Sequence, residues 1–231
     1  MPAIVNGAAT MPENGAIEAV YRGLSHSAQV IKMNVQTARA LYARPMSQAL
    51  HQHEDTSRTA LRSATSEAHA RLDALMQGGL QDAATYRAYL QAMHRFLGDA
   101  EVVLDELPRR SLWVARDLAT LGVPALPPRG VLRRAGLPEE RLGWEYVIVG
   151  SSLGARLLQR DARKLGFDAD NGARFLAAHT DGDAWANLLK RLSAIEPTQN
   201  RRITLLVRGA RDAFASAEAS FRRALQLDAI P

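Results

Sequence analysis

Apolar residues return every three or four positions along most of this chain, the interval at which side chains line one face of an α-helix. The first such stretch predicts a helix from about Ser27 to Tyr42, with Ile31, Val35, Ala38 and Leu41 in register and Pro45 closing it. Ser47 to Asp55 is mostly polar and reads as a linker. Asp55, Thr56 and Ser57 then offer capping side chains. Leu61, Thr65, His69, Leu72 and Met76 mark the inward face of the helix that follows, and Gly78-Gly79 stops it.

The same periodicity continues downstream. Asp82 or Thr85 opens a long helix through Tyr86, Tyr89, Leu90, Met93, Phe96, Leu97 and Leu104, ending near Pro108. A shorter helix, Leu112 to Leu121, precedes a loop rich in proline and glycine from Gly122 to Gly136. Pro138 suits the first turn of another helix, which runs to about Leu165. Short helices over Asp170–Ala178 and from Asp183 to before Pro197 lead to a last one that starts at Thr198 and passes through Leu205, Ala210, Phe214, Phe221 and Leu225. No strand-like alternation and no internal repeat interrupts this series. The expectation is an all-α, single-domain multi-helix bundle over residues 56–231, preceded by a partly helical N-terminal extension, residues 1–55.

Composition narrows the chemistry more than the fold. The chain has 231 residues, 47% of them hydrophobic, enough for one substantial core. It contains no cysteine, which excludes disulfides, thiolate-held zinc, iron–sulfur clusters and thioether-attached haem. No apolar run approaches the ~20 residues that cross a bilayer. The start, Met1-Pro2-Ala3-Ile4-Val5, lacks a basic stretch followed by an apolar one, so a cytoplasmic protein without a signal peptide is expected. Net charge is +5, carried almost wholly by arginine. Arg109-Arg110, Arg133-Arg134 and Arg201-Arg202 lie far apart without interleaved aromatics, which reads as solvated helix faces rather than a nucleic-acid surface.

Two segments carry candidate chemistry. His69 shares a helix face with Thr65, Leu72 and Met76, so it reads either as a hydrogen-bonded core histidine or as a metal ligand. Arg62, seven residues before it, lies two turns or ~10.5 Å nearer the helix N-terminus, within reach of an acidic ligand edge. Gly150 and Gly154 stack on one face of the later helix beside Ser151 and Ala155. Each glycine costs roughly 1 kcal/mol relative to alanine there. Close helix packing and close approach of a ligand to bare backbone are both open explanations. Asp168-Ala169-Asp170-Asn171-Gly172 begins like a calcium loop, but its glycine is early and His179 stands where glutamate should, so it reads as helix capping. No nucleophile elbow, zinc-protease motif or dinucleotide fingerprint is present.

Taken together, Leu61-Arg62-x-x-Thr65-x-x-x-His69 and Tyr146-Val147-Ile148-Val149-Gly150-Ser151-Ser152-Leu153-Gly154-Ala155 resemble the proximal and distal helices of the haem oxygenase family, its bacterial branch in particular. Trp185 to Phe221 is similar to the family's C-terminal helices, and the resemblance spans roughly residues 58–227. It implies a haem oxygenase-like bundle with haem as substrate and cofactor. His69 would ligate the iron. Gly150, Ser151 and Gly154 would form the distal, catalytic wall. Arg62, Thr65, Tyr146 and Lys190 would serve cofactor binding, with the arginine, tyrosine and lysine on the propionates. It further implies O2 as co-substrate, electrons from an external reductase or ferredoxin, and biliverdin, carbon monoxide and ferrous iron as products, with iron acquisition or a bacterial phytochrome as the use of the bilin. Ser151 stands where animal members carry an aspartate, and Ala155 where many relatives have a second glycine. A haem carrier or sensor on the same fold is the alternative.

Overall fold

A computed structural model describes residues 56–226, apart from 77–78, 107–108, 131–132, 180–182 and 197. The expected helix over 27–42 and the linker after it lie outside the described residues. The described part is helical: α1 (Thr56–Leu75), α2 (Ala83–Leu104), α3 (Arg110–Thr120), α4 (Pro138–Lys164), α5 (Arg174–Ala178), α6 (Asp183–Ser193) and α7 (Asn200–Ala224). Among the described residues there is no strand, only an isolated bridge between Asp168 and Gly172.

Local chemistry sets several of the ends. The Asp82 carboxylate accepts the Thr85 backbone N–H at 2.7 Å and caps α2, and Asp105 turns the chain off at φ 53°. Pro138 fills the first turn of α4, with Glu139 and Glu140 favourably placed against the positive end of its dipole. Two helices are capped from a distance. Glu101 of α2 accepts the backbone N–H groups of Arg109, Arg110 and Ser111 at 2.9, 2.9 and 3.1 Å, and so starts α3 two residues before Leu112. Asp117 of α3 accepts those of Arg174 and Phe175 at 2.9 and 2.8 Å, and so starts α5.

The second of these caps corrects the expected start at Asp170. Asp168 spends its carboxylate on the N–H groups of Asp170 and Asn171, both at 2.9 Å, which makes a turn rather than a helix. Gly172 leaves that turn at φ +77°. Ser57 likewise does not act as a local cap: its hydroxyl donates to the Ile195 carbonyl at 3.4 Å, tying the first turn of α1 to the end of α6.

The core gathers on α7. Leu206, Ala210, Ala213, Phe214, Ala217 and Phe221 are buried along it, in one hydrophobic cluster with Leu61 of α1, Leu90 and Leu97 of α2, and Ile148 of α4. α1 runs parallel to α7, with the Arg211 guanidinium donating to the Ala64 carbonyl at 3.2 Å and Arg71 to Glu218 at 3.1 Å. α4 crosses α7 at backbone contact. A methyl group on Gly143 would lie 2.2 Å from the Leu206 carbonyl, and one on Gly209 would lie 2.1 Å from that of Glu140. Both α1 and α4 pack on α7 and on α6 but make no extensive contact with each other. They are the candidate walls of a site, each resting on α7.

Candidate functional site

The first wall is α1. Its buried stripe is Ser57, Leu61 and Thr65, with Ala68 and Leu72 packed against the core. His69 was expected on that inward stripe. It sits instead at the stripe's edge, with 46% of its side chain exposed. The reason is rotation: at about 100° per residue, His69 falls roughly 80° round the helix from Leu61. Its ring leans on Phe214 of α7, centroids 5.8 Å apart at 56°.

His69 Nδ1 is 2.7 Å from Asp73 Oδ2, one turn on. The carboxylate raises the imidazole pKa above its usual 6.5, against a smaller opposing pull from burial. With Nδ1–H donating to Asp73, Nε2 carries the lone pair. A carboxylate holding one ring nitrogen so that the other can bind a metal is the usual support for a ligating histidine. Thr65 is buried, and its hydroxyl donates to the Leu61 carbonyl at 2.7 Å. That hydroxyl serves the backbone of its own helix, so what Thr65 offers a cofactor is shape rather than a donor.

The second wall is the middle of α4. A methyl group on Gly150 would meet the Trp185 ring at 3.7 Å, an ordinary contact, so packing does not demand glycine there. Gly154 follows one turn later, half-buried. Between them Ser151 and Ser152 turn their hydroxyls back on the Ile148 and Val149 carbonyls, at 2.7 and 2.6 Å. Such back-bonds loosen and bend a helix.

Ser151 has a second partner that sequence reasoning passed over. His179 Nε2 lies 2.9 Å from its oxygen. His179 is buried under the ring of Phe175, centroids 4.9 Å apart. Desolvation, helped by the charge of Arg110, pushes its pKa down to about 4, so it is neutral at pH 7. Because Ser151 gives its one proton to Ile148, His179 is the donor, with its proton on Nε2. The only sequence signal was negative, a histidine at the end of a failed calcium loop.

One edge of the slot is basic. The Tyr146 ring meets Trp185 of α6 at a tilt, centroids 5.9 Å apart and planes at 40°, and burial raises its hydroxyl pKa while the charges of Arg58 and Arg62 oppose that rise. Both α1 cations therefore act on a hydroxyl of the opposite wall. Lys190 is exposed on the last turn of α6. Its neighbour Arg191 pairs with Glu145, Nη2 to Oε1 at 3.2 Å with a second, shorter contact alongside, and this joins α6 to α4 beside Tyr146.

The arrangement offers an imidazole nitrogen on one wall, glycine-bared backbone on the other, and a cationic edge with a phenol. Those features fit a flat, metal-bearing, acidic ligand. No protein-family model matches the chain. It is similar to the haem oxygenase PigA of Pseudomonas aeruginosa, with 32% identity over 166 residues covering 83% of that protein and 65% of this chain. It is also similar in structure to the NO- and CO-bound haem oxygenase of Neisseria meningitidis, with a TM-score of 0.62 and 27% identity, covering 94% of that chain and 76% of this one.

Proposed function

Because the chain belongs to the haem oxygenase family, we propose that it opens the haem ring oxidatively, giving biliverdin, carbon monoxide and ferrous iron with O2 and electrons from an external reductase or ferredoxin. The observation that carries this reading is His69, whose Nδ1 is held by Asp73 at 2.7 Å while Nε2 remains for iron. Bound haem supplies both the iron that activates O2 and the carbon that is attacked.

The protein's part is binding and orientation. His69 would hold the iron through Nε2. Gly150 and Gly154 let the distal helix approach the ring, and Ser151, fixed by Ile148 and His179, gives that wall one hydroxyl whose oxygen already accepts a hydrogen bond. Arg62, Tyr146 and Lys190 would hold the propionates, with Thr65 also in the cofactor-binding set, and their grip would control how the ring is oriented. Residues 56–231 form the catalytic domain and 1–55 an extension to it. The protein works in the cytoplasm, away from nucleic acid and membrane, and its bilin either is discarded in iron acquisition or passes to a bacterial phytochrome.

Adding hemin to the purified protein, then ascorbate or a reductase, tests this. A Soret shift lost in His69→Ala, followed by conversion to a bilin spectrum, is expected. A stable complex under turnover conditions would instead indicate a carrier or sensor, and no binding would sink the reading altogether.

A further inference from the structure

α5 has only five residues, yet it is held firmly. Its first backbone N–H groups bond the buried Asp117 carboxylate of α3, and Phe175 and Leu176 sit fully inside the core. His179 closes it, with its backbone N–H on the Phe175 carbonyl at 2.8 Å and its ring buried beside that of Phe175. The imidazole is therefore placed by α3 and the core. It reaches α4 at the Ser151 hydroxyl oxygen, 2.9 Å from Nε2. A hydroxyl has one proton and two lone pairs. At Ser151 the proton goes to the Ile148 carbonyl at 2.7 Å, and one lone pair takes the His179 N–H. What remains is a single lone pair, on a residue that is otherwise exposed.

We propose that His179 is a positioning residue that sets the hydrogen-bond polarity of the distal wall: by occupying the Ser151 oxygen from α5, it leaves that hydroxyl able to accept from a ligand but not to donate to it. This rests on the haem reading of the site and deepens it. Burial, with the Arg110 charge nearby, keeps the ring neutral at pH 7, so it has one N–H to place, and Nε2 is where Ser151 can receive it. A proton on Nδ1 instead would reverse the pattern, because Nε2 would then have to accept and Ser151 would have to turn its own proton away from Ile148. Loss of the ring would free the Ser151 hydroxyl to rotate about χ1 and offer its proton to a ligand held against α4. The polarity of one wall would thus be decided by a side chain 28 residues away that need not touch the ligand.

The full-length protein is read first without haem. Histidine 1H–15N spectra at pH 7, assigned with His179→Gln, should show His179 neutral with its proton on Nε2. A proton on Nδ1, or a charged ring, overturns the assignment and leaves the haem reading intact. Hemin is then added, reduced and exposed to carbon monoxide, whose stretching band moves to lower frequency when a hydrogen-bond donor reaches it. The unaltered chain, Ser151→Ala and His179→Gln, whose amide can still donate to Ser151, should give one band at closely matching positions. His179→Leu should add a band at lower frequency, and the double variant His179→Leu/Ser151→Ala should lose it again. No new band in His179→Leu, or one that survives in the double variant, overturns the proposal. The thermal midpoint of each apo-protein is recorded; if His179→Leu does not fold, the apo spectrum and the His179→Gln band decide. Failure of the unaltered chain to bind hemin overturns the haem reading and this role with it.

Discussion

At Gly143, near the start of α4, a methyl group would strike the Leu206 carbonyl at 2.2 Å; seven residues on, at Gly150, the same methyl group would meet only the Trp185 ring at 3.7 Å. One helix therefore carries glycine for two reasons. The N-terminal half is pressed backbone to backbone against α7, and there the missing side chain is a condition of folding. The later half carries the candidate site residues, and there the glycine at position 150 weakens the helix without any packing partner that requires it. A residue that lowers stability where packing would tolerate alanine points to function.

The largest expected effect tests the packed half. Gly143→Ala should cost about 3 kcal/mol, since backbone carbonyls cannot swing aside as side chains do. That corresponds to a fall in Tm of about 6–12 °C for a domain of this size, while the folded fraction binds hemin normally. Gly209→Ala, facing Glu140, should behave alike. A variant at either position that melts like the unaltered protein would remove the packed side of the contrast.

Acid should find the slot side next. Native His179 has a pKa of about 4, whereas an unfolded histidine titrates near 6.5. Stability from this residue is present in full above pH 6.5 and is lost as pH falls toward 4, up to about 3 kcal/mol. His179→Gln should flatten that limb of a stability–pH curve measured by urea denaturation.

Gly150→Ala should do the opposite of Gly143→Ala. Helix propensity favours it by about 1 kcal/mol, so the apo-protein should melt slightly higher while hemin affinity and bilin formation fall. A drop in Tm together with unchanged turnover would erase the distinction between the two halves. The smallest effect lies across the slot. Asp73 raises the His69 pKa, and protons compete with iron for the ring, so hemin ligation should weaken as pH falls through that raised value. Asp73→Asn should move the midpoint of ligation to lower pH, visible in the Soret band.

What could be read from the sequence divides along the same line. The candidate-site segments stand out in the sequence because each is a short local pattern: Leu61 to His69 and Tyr146 to Ala155 each fall within one helix. Helix boundaries set locally, as by Asp82 and Pro138, were legible too. The packed side was not. Gly143 and Gly209 are 66 residues apart in numbering, and nothing in either neighbourhood names the other as its partner. The caps from Glu101 and Asp117 escape for the same reason, and with them the true start of α5. His179 was invisible because its role depends on Ser151, which reaches it only through the fold.

The pairing of α1 with α7 reaches beyond the site itself. Arg71 meets Glu218 and Ala64 meets Arg211 across 147 positions of chain. During synthesis the histidine-bearing helix emerges long before the surface it rests on, and such distant pairing forms late because its loop closure is paid in advance. A nascent chain that lacks α7 has no Phe214 for His69 to rest on, and a ribosome-bound fragment should not capture iron porphyrin. Capture of an iron porphyrin would thereby wait until α7 has been made.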